Sequence, residues 1–283
     1  MSTPLYTLLA LLAFAGNSVL CRLALGDNGI DAASFTAIRL FSGIVVLAVI
    51  LTISNKRNNN NTAKGSWKSS LLLFIYATTF SFAYNSLDTG VGALVLFASV
   101  QITMILTSLF TGNKLTIFDA LGVTLAGFGF LYLVMPNLTT PSLLGFILMA
   151  ISGIAWGLYT LAGKGSNNPL ADTTYNFLRT LPFIIILIAL CYPSLHLSQQ
   201  GILLAVLSGG LASGLGYTIW YSALTGLSSI QAAVVQLLVP IIAAIGGIFF
   251  AEEQLSLRLV IASIMVLGGI SVVVMHSYIS KKT

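Results

Sequence analysis

The side chains with the most chemistry to offer are two arginines in apolar settings. Arg39 and Arg179 each lie about two turns inside a long apolar segment, 140 residues apart, in similar surroundings: Phe35-Thr36-Ala37-Ile38-Arg39 and Tyr175-Asn176-Phe177-Leu178-Arg179. A guanidinium in hydrocarbon is costly, so an intramembrane arginine is a functional-site candidate by default. On one reading each snorkels outward or bonds helix-end carbonyls and simply fixes its helix. On the other they belong to two gates, each bonding polar groups of the opposite half of the chain when its own side is closed. Pro240 joins them as a gating candidate, because a proline inside a helix, like Pro182, removes a backbone hydrogen bond and permits a kink.

The remaining chemistry at mid-segment is neutral. It comprises Asn17; Tyr84 and Asn85; Ser99, Gln101 and Thr103; Trp156 and Tyr159; Tyr217, Trp220 and Tyr221; and Gln231 and Gln236. Buried amides and phenols must find partners, so they face a neighbouring helix or a wet pocket. Asn17, Tyr84, Gln101, Trp156, Tyr159, Tyr217, Trp220, Tyr221 and Gln236 are therefore candidate substrate-binding residues; for any one of them the plainer reading is an interhelical hydrogen bond or an interface aromatic. Tyr217 and Tyr221 stand one turn apart, matched earlier in the chain by Phe80 and Tyr84, so an aromatic stripe recurs.

All seven acidic residues (Asp27, Asp31, Asp88, Asp119, Asp172, Glu252, Glu253) fall at segment ends or in loops, leaving no carboxylate at mid-membrane to relay protons or hold a cation. His196 and His276 are peripheral too, so neither a nucleophile pair nor a metal cluster assembles at depth and no catalytic residue, metal or cofactor is expected. Gly163-Lys164-Gly165-Ser166 is not a phosphate-binding loop, and ATP-driven chemistry has no support.

The elements that must position these residues are membrane spans. Of 283 residues 57% are apolar and only 7% charged, and the mean hydropathy is +0.99; no soluble domain of this size covers its surface with so few charges. Ten segments are long and apolar enough for spanning helices: Pro4–Ala24, Ala33–Ile53, Ser69–Leu87, Gly90–Phe110, Phe118–Val134, Ser142–Gly163, Thr174–Cys191, Ile202–Leu224, Ser228–Phe250 and Leu257–His276. The fold class is an all-α membrane protein whose main partner is the lipid bilayer. Asn55–Lys68, with four consecutive asparagines, reads as a solvated loop, and the first segment reads as a retained helix because no charged region or cleavage site accompanies it. Cys21 and Cys191 end apolar segments and read as small hydrophobes rather than a disulfide. Lys56, Arg57, Lys64, Lys68, Lys114, Lys164, Lys281 and Lys282 fall on one side of the membrane, Arg22 and Arg258 on the other. The positive-inside rule then places both termini in the cytoplasm, and the +5 charge is a topology signal with no nucleic-acid partner.

The second half repeats the first. Leu115–Met135 matches Leu255–Met275 at the same offset of 140, and Ala15-Gly16 resembles Trp156-Gly157. Five helices per half is an odd number, so residues 1–137 and 138–283 form two inverted five-helix repeats, an arrangement that characteristically holds substrate between its halves. Gly210 and Gly214 form a GxxxG step that lets helices approach. The plainer account of the duplication is a larger bundle with no transport role.

In these features the chain resembles the drug/metabolite transporter superfamily, specifically its EamA-type ten-helix members. The resemblance rests on Trp156-Gly157, Lys164, Arg39 and Arg179, Pro240 and Glu252-Glu253 in register; the first half departs from it at Val100 and at Gly112-Asn113-Lys114. It implies a carrier in a bacterial inner membrane that exports a small-molecule substrate, an amino acid or similar metabolite, by alternating access through a central cavity. A nucleotide-sugar or phosphate-ester exchanger would instead turn Lys164 and Arg179 into the cavity. A non-transporting scaffold or receptor would keep a dry core with its polar groups at helix contacts.

Overall fold

A computed structural model of the chain describes residues 3–26, 29–55, 65–110, 117–134, 142–163, 166, 168–224, 226–227 and 235–280. The described residues are helical apart from turns, short connections and one isolated bridge between Ile30 and Leu197. The α-helices are α1 (Thr3–Leu25), α2 (Ala32–Asn55), α3 (Trp67–Tyr84), α4 (Thr89–Phe110), α5 (Ile117–Val134), α6 (Leu143–Gly163), α7 (Pro169–Leu178), α8 (Leu181–Cys191), α9 (Gln199–Leu207), α10 (Gly216–Leu224), α11 (Val239–Phe250) and α12 (Leu257–Ser280). A π-helical segment, Ser208–Leu215, joins α9 to α10. Among the described residues, six stretches are long and apolar enough to cross a membrane: Thr3–Leu25, Ala32–Ser54, Thr89–Thr107, Leu143–Gly163, Pro169–Ser194 and Gln199–Trp220. Ala120–Leu133, Val239–Phe250 and Leu257–Val273 are shorter apolar helices.

Polar side chains start several of these helices by accepting from the otherwise unpaired N–H three residues on. Asp31 does so for Ser34 at 2.9 Å, Ser66 for Ser69 at 3.0 Å, Asn168 for Ala171 at 3.1 Å and Ser198 for Gly201 at 2.9 Å. The expected single helix Thr174–Cys191 is divided. Arg179 caps α7, and a new helix begins at Leu181 with Pro182 in its first turn. Pro240 likewise lies in the first turn of α11. Neither proline kinks a helix from inside, as the sequence reading had it; each sits where a missing N–H costs nothing.

Around the centre α6 packs on α3 and α4, α1 on α10 and α11, and α2 on the π segment and α7, while α5 and α12 form a pair. Close approach is set by glycine. A Cβ on Gly209 would lie 2.0 Å from the Arg39 carbonyl oxygen and 2.1 Å from Ser42 Oγ, so α2 and the π segment touch backbone to backbone. Gly153 does the same for α6 against Leu96 of α4. Outward faces carry large exposed apolar side chains such as Phe41, Val49, Ile185, Leu190 and Phe249, the surface lipid requires.

The two ends of the bundle are tied differently. Where α1 ends, Arg22 Nε bonds Glu253 at 3.2 Å and Arg22 Nη2 lies 3.5 Å from Asp88. The Glu253 carboxylate also accepts from the Thr89 N–H at 2.8 and 2.9 Å and from its hydroxyl at 2.9 Å, so it caps α4 from across the chain. At the opposite end, where α3 and α7 begin, Asp172 accepts from Gly65 N–H and Asn176 from Ser66 N–H, both at 2.8 Å.

Candidate functional site

The centre of the bundle is an aromatic cage. Phe14 of α1 meets Trp156, Tyr217 and Trp220 edge-on at 6.3, 6.1 and 5.6 Å between ring centroids. Trp156 lies 4.8 Å from both Tyr76 and Tyr217 and stacks on Tyr159 at 5.5 Å. These spacings fall in the range where the positive edge of one ring meets the negative face of the next. Inside is a small cavity of about 10 Å³, room for about one water, lined by Phe14, Asn17, Tyr76, Phe80, Leu96, Phe97, Trp156 and Tyr217.

Arg39 is not itself among the lining residues; it lies directly behind the Tyr76 and Phe80 rings that wall the cavity. Its residue is 1% exposed, so the side chain turns into the bundle and does not snorkel. Nη2 donates to Tyr76 Oη at 2.9 Å and Nε to Ser213 Oγ at 3.3 Å. Its Cζ lies 5.2 Å from the Tyr76 ring and 4.7 Å from the Phe80 ring, both of which line the cavity. Among the described residues no carboxylate comes within ion-pair distance of Arg39, and Nη1 has no hydrogen-bond partner. An ion buried without its counter-charge costs of order several kcal/mol, so this arrangement demands a reason. Tyr217 makes a long 3.5 Å contact to the same Tyr76 oxygen, and Ser208 Oγ donates to Asn17 Oδ1 at 2.6 Å. The π segment thus supplies a hydroxyl to each polar group, Ser208 to Asn17 and Ser213 to Arg39.

Of the expected site residues, Asn17, Trp156 and Tyr217 line the cavity, while Tyr159 and Trp220 pack directly behind the lining rings. Tyr84 ends α3, where its hydroxyl donates to the Thr89 carbonyl at 3.4 Å, one turn beyond the lining residue Phe80. Gln101 and Gln236 are buried in the bundle, but neither is among the lining residues. The side chain of Tyr221, together with Gln231, Lys164 and Gly112-Asn113-Lys114, lies outside the described residues. Pro240 lines a separate apolar groove between α11 and α12. Arg179 is half-buried beside Trp67 and Tyr175, 5.8 and 6.0 Å from their rings, and is not among the cavity-lining residues.

Sequence reasoning passed over Tyr76, Phe14, Phe97, Ser208 and Ser213. Tyr76 had a signal: it continues the Phe80–Tyr84 stripe one turn earlier. The two serines had none, because only the π geometry brings both to the buried face.

Residues 1–135 and 143–275 each match the model of the EamA-like transporter family. The chain is 51% identical over 271 residues to the uncharacterized protein PA1977 of Pseudomonas aeruginosa, covering 96% of this chain and 94% of that one. It is 19% identical to the uncharacterized transporter YoaV of Bacillus subtilis over 87% of this chain and 88% of that protein. An uncharacterized transporter of Archaeoglobus fulgidus is 26% identical over 66% and 68% of the two chains. A solved crystal structure superposes with a TM-score of 0.64 at 17% identity, covering 96% of this chain and 97% of that one, a likeness of fold. With apolar helices long enough to span a bilayer and family matches over nearly its whole length, the chain is a multi-pass membrane protein belonging to the EamA-like transporter family.

Proposed function

We propose that the chain carries a small organic solute, an amino acid or similar amphipathic metabolite, across the bilayer by alternating access, with ten spans in two inverted five-helix repeats, residues 1–137 and 138–283. The observation that carries this reading is the enclosed aromatic cavity, whose walls come from α1, α3 and α4 of the first half and from α6 and α10 of the second. A site shared between repeats is what rocking one half against the other exposes to each side in turn. The two family-matched segments support the duplicated layout. Export follows from the family resemblance, and the cytoplasmic placement of both termini from the Lys and Arg distribution.

On that topology the Arg22–Glu253 pair, which joins residues 231 apart in sequence, closes the outer end, and Arg39 adds a bond to Ser213 of the other half. Outward opening then requires both to break. The test is flux in proteoliposomes holding the purified protein, with radiolabelled aromatic and aliphatic amino acids. Flux of at least one, abolished by Trp156→Ala and Tyr217→Ala at unchanged folded yield, is the expected result. Full flux in both variants would mean that the cage is packing and nothing more.

A further inference from the structure

We infer that the cavity selects an organic anion, a carboxylate on an apolar body, and that Arg39, acting with Tyr76 and Asn17, is its anion anchor; this rests on the transport reading and names the substrate class. Tyr76 Oη accepts from Arg39 at 2.9 Å, and the 3.5 Å contact to Tyr217 is too long to hold its hydroxyl hydrogen, which can turn to a ligand. Asn17 Oδ1 accepts from Ser208, which leaves the amide NH₂ as the part of that side chain able to serve a ligand. Arg39 Nη1 is a buried donor with no partner. Arg39, Tyr76 and Asn17 therefore each have hydrogen to offer, and the acceptors beside them are neutral phenol and serine oxygens, not carboxylates.

Charge agrees with hydrogen bonding. The guanidinium lies against the Tyr76 and Phe80 rings that wall the cavity, and the lining residues include no carboxylate. In a low-dielectric interior an unpaired cation attracts an anion and repels a second cation strongly. The opposite wall, Phe14, Leu96, Phe97 and Trp156, is hydrocarbon and ring face, suited to an apolar body. A purely structural Arg39 would be satisfied by Tyr76 and Ser213; it would not need a spare donor or a net positive charge beside a cavity.

Four probes of one shape at pH 7 test this by calorimetry on protein in nanodiscs: 3-phenylpropanoate, 3-phenylpropanol, 3-phenylpropylamine and phenylalanine. The propanoate should bind at least about tenfold tighter than the alcohol, as one charge-assisted hydrogen bond requires, and the amine weakest of all. Phenylalanine tells whether an ammonium beside the carboxylate is also accepted; either way the carboxylate requirement stands on the other three. Tyr76→Phe keeps the ring and should weaken the propanoate about tenfold while leaving the alcohol unchanged. Arg39→Gln, verified as folded by size exclusion, should erase the preference for the acid.

Equal binding of acid and alcohol, or a parallel loss of both in Tyr76→Phe, overturns the inference, as does no propanoate binding at all. Flux in proteoliposomes separates this from the broader reading. Selective binding without flux leaves the anion site standing and removes transport; flux without charge preference does the reverse.

Discussion

Arg39 and Arg179 are the same residue at the same step of a 140-residue period, yet the fold surrounds them differently. Arg39 is fully buried in mid-helix and held by Tyr76 and Ser213; Arg179 is half-buried at a helix end, its Nη1 3.5 Å from the Tyr175 carbonyl and its guanidinium over Trp67. The cause is the helix that carries each. α2 runs unbroken from Ala32 to Asn55 and presses the Arg39 backbone against Gly209 of the π segment. The second arginine's helix stops at Leu178, so Arg179 becomes a C-cap whose N–H bonds carbonyls of its own last turn and whose charge sits favourably at the negative end of the dipole. The chain carries two such cations, and the local backbone assigns one to the centre and the other to a rim.

The contrast breaks first, if it is wrong, in transport. Arg39→Gln should lower flux about 10- to 100-fold, the worth of one to two charge-assisted hydrogen bonds, whereas Arg179→Gln should change it by less than about threefold. Equal losses in proteoliposome flux would mean that the rim arginine shares the work. A second difference lies in how tightly each is gripped. Gly209→Ala forces a Cβ onto the Arg39 carbonyl and should cost about 1–3 kcal/mol, read as a lower melting temperature in detergent. Gly214→Ala, whose nearest neighbour would be 3.4 Å away, should be nearly neutral by the same assay.

The smallest expected effect separates the starts of the two arginine helices. Asp31 caps α2 and Asn168 caps α7, so alanine at either should cost about 1 kcal/mol at pH 7. Burial alone would raise the Asp31 carboxyl, but hydrogen bonds from the Ser34 hydroxyl and N–H and from the His196 and Ala33 N–H groups outweigh it and hold it below the usual carboxylate range. A depressed carboxyl contributes stability that is present above its unfolded pKa and lost as pH falls through the folded one. Melting curves between pH 7 and about pH 3 should therefore show the Asp31→Ala penalty fading towards acid and the Asn168→Ala penalty constant.

Much of this was legible in the residues. Composition and apolar run length placed the chain in the bilayer, the arginines stood out as costly, and Trp156 and Tyr217 carried the aromatic wall. What escaped was whatever depends on local backbone deviations or on contacts distant in sequence. Ser208-Gly209-Gly210-Leu211-Ala212-Ser213-Gly214-Leu215 reads as a small-residue packing face, and nothing in it announces π geometry that brings two hydroxyls to bear on Asn17 and Arg39. The break before Leu181 was hidden because Thr180 and Pro182 sit in a continuous apolar run. Arg22 reads as a charge at the end of its segment and Glu253 as part of an acidic turn, and only packing shows that they tie α1 to the start of α4.

The most direct test of the central claim is a structure of the protein bound to 3-(4-bromophenyl)propanoate, with the bromine located by anomalous scattering. The account predicts the bromine against Phe14, Phe97 and Trp156, and the carboxylate within about 3 Å of Tyr76 Oη, turned towards Arg39 Nη1. A carboxylate beside Arg179 and Trp67, or a bromine in the apolar groove between α11 and α12 with the central cage empty, would contradict it.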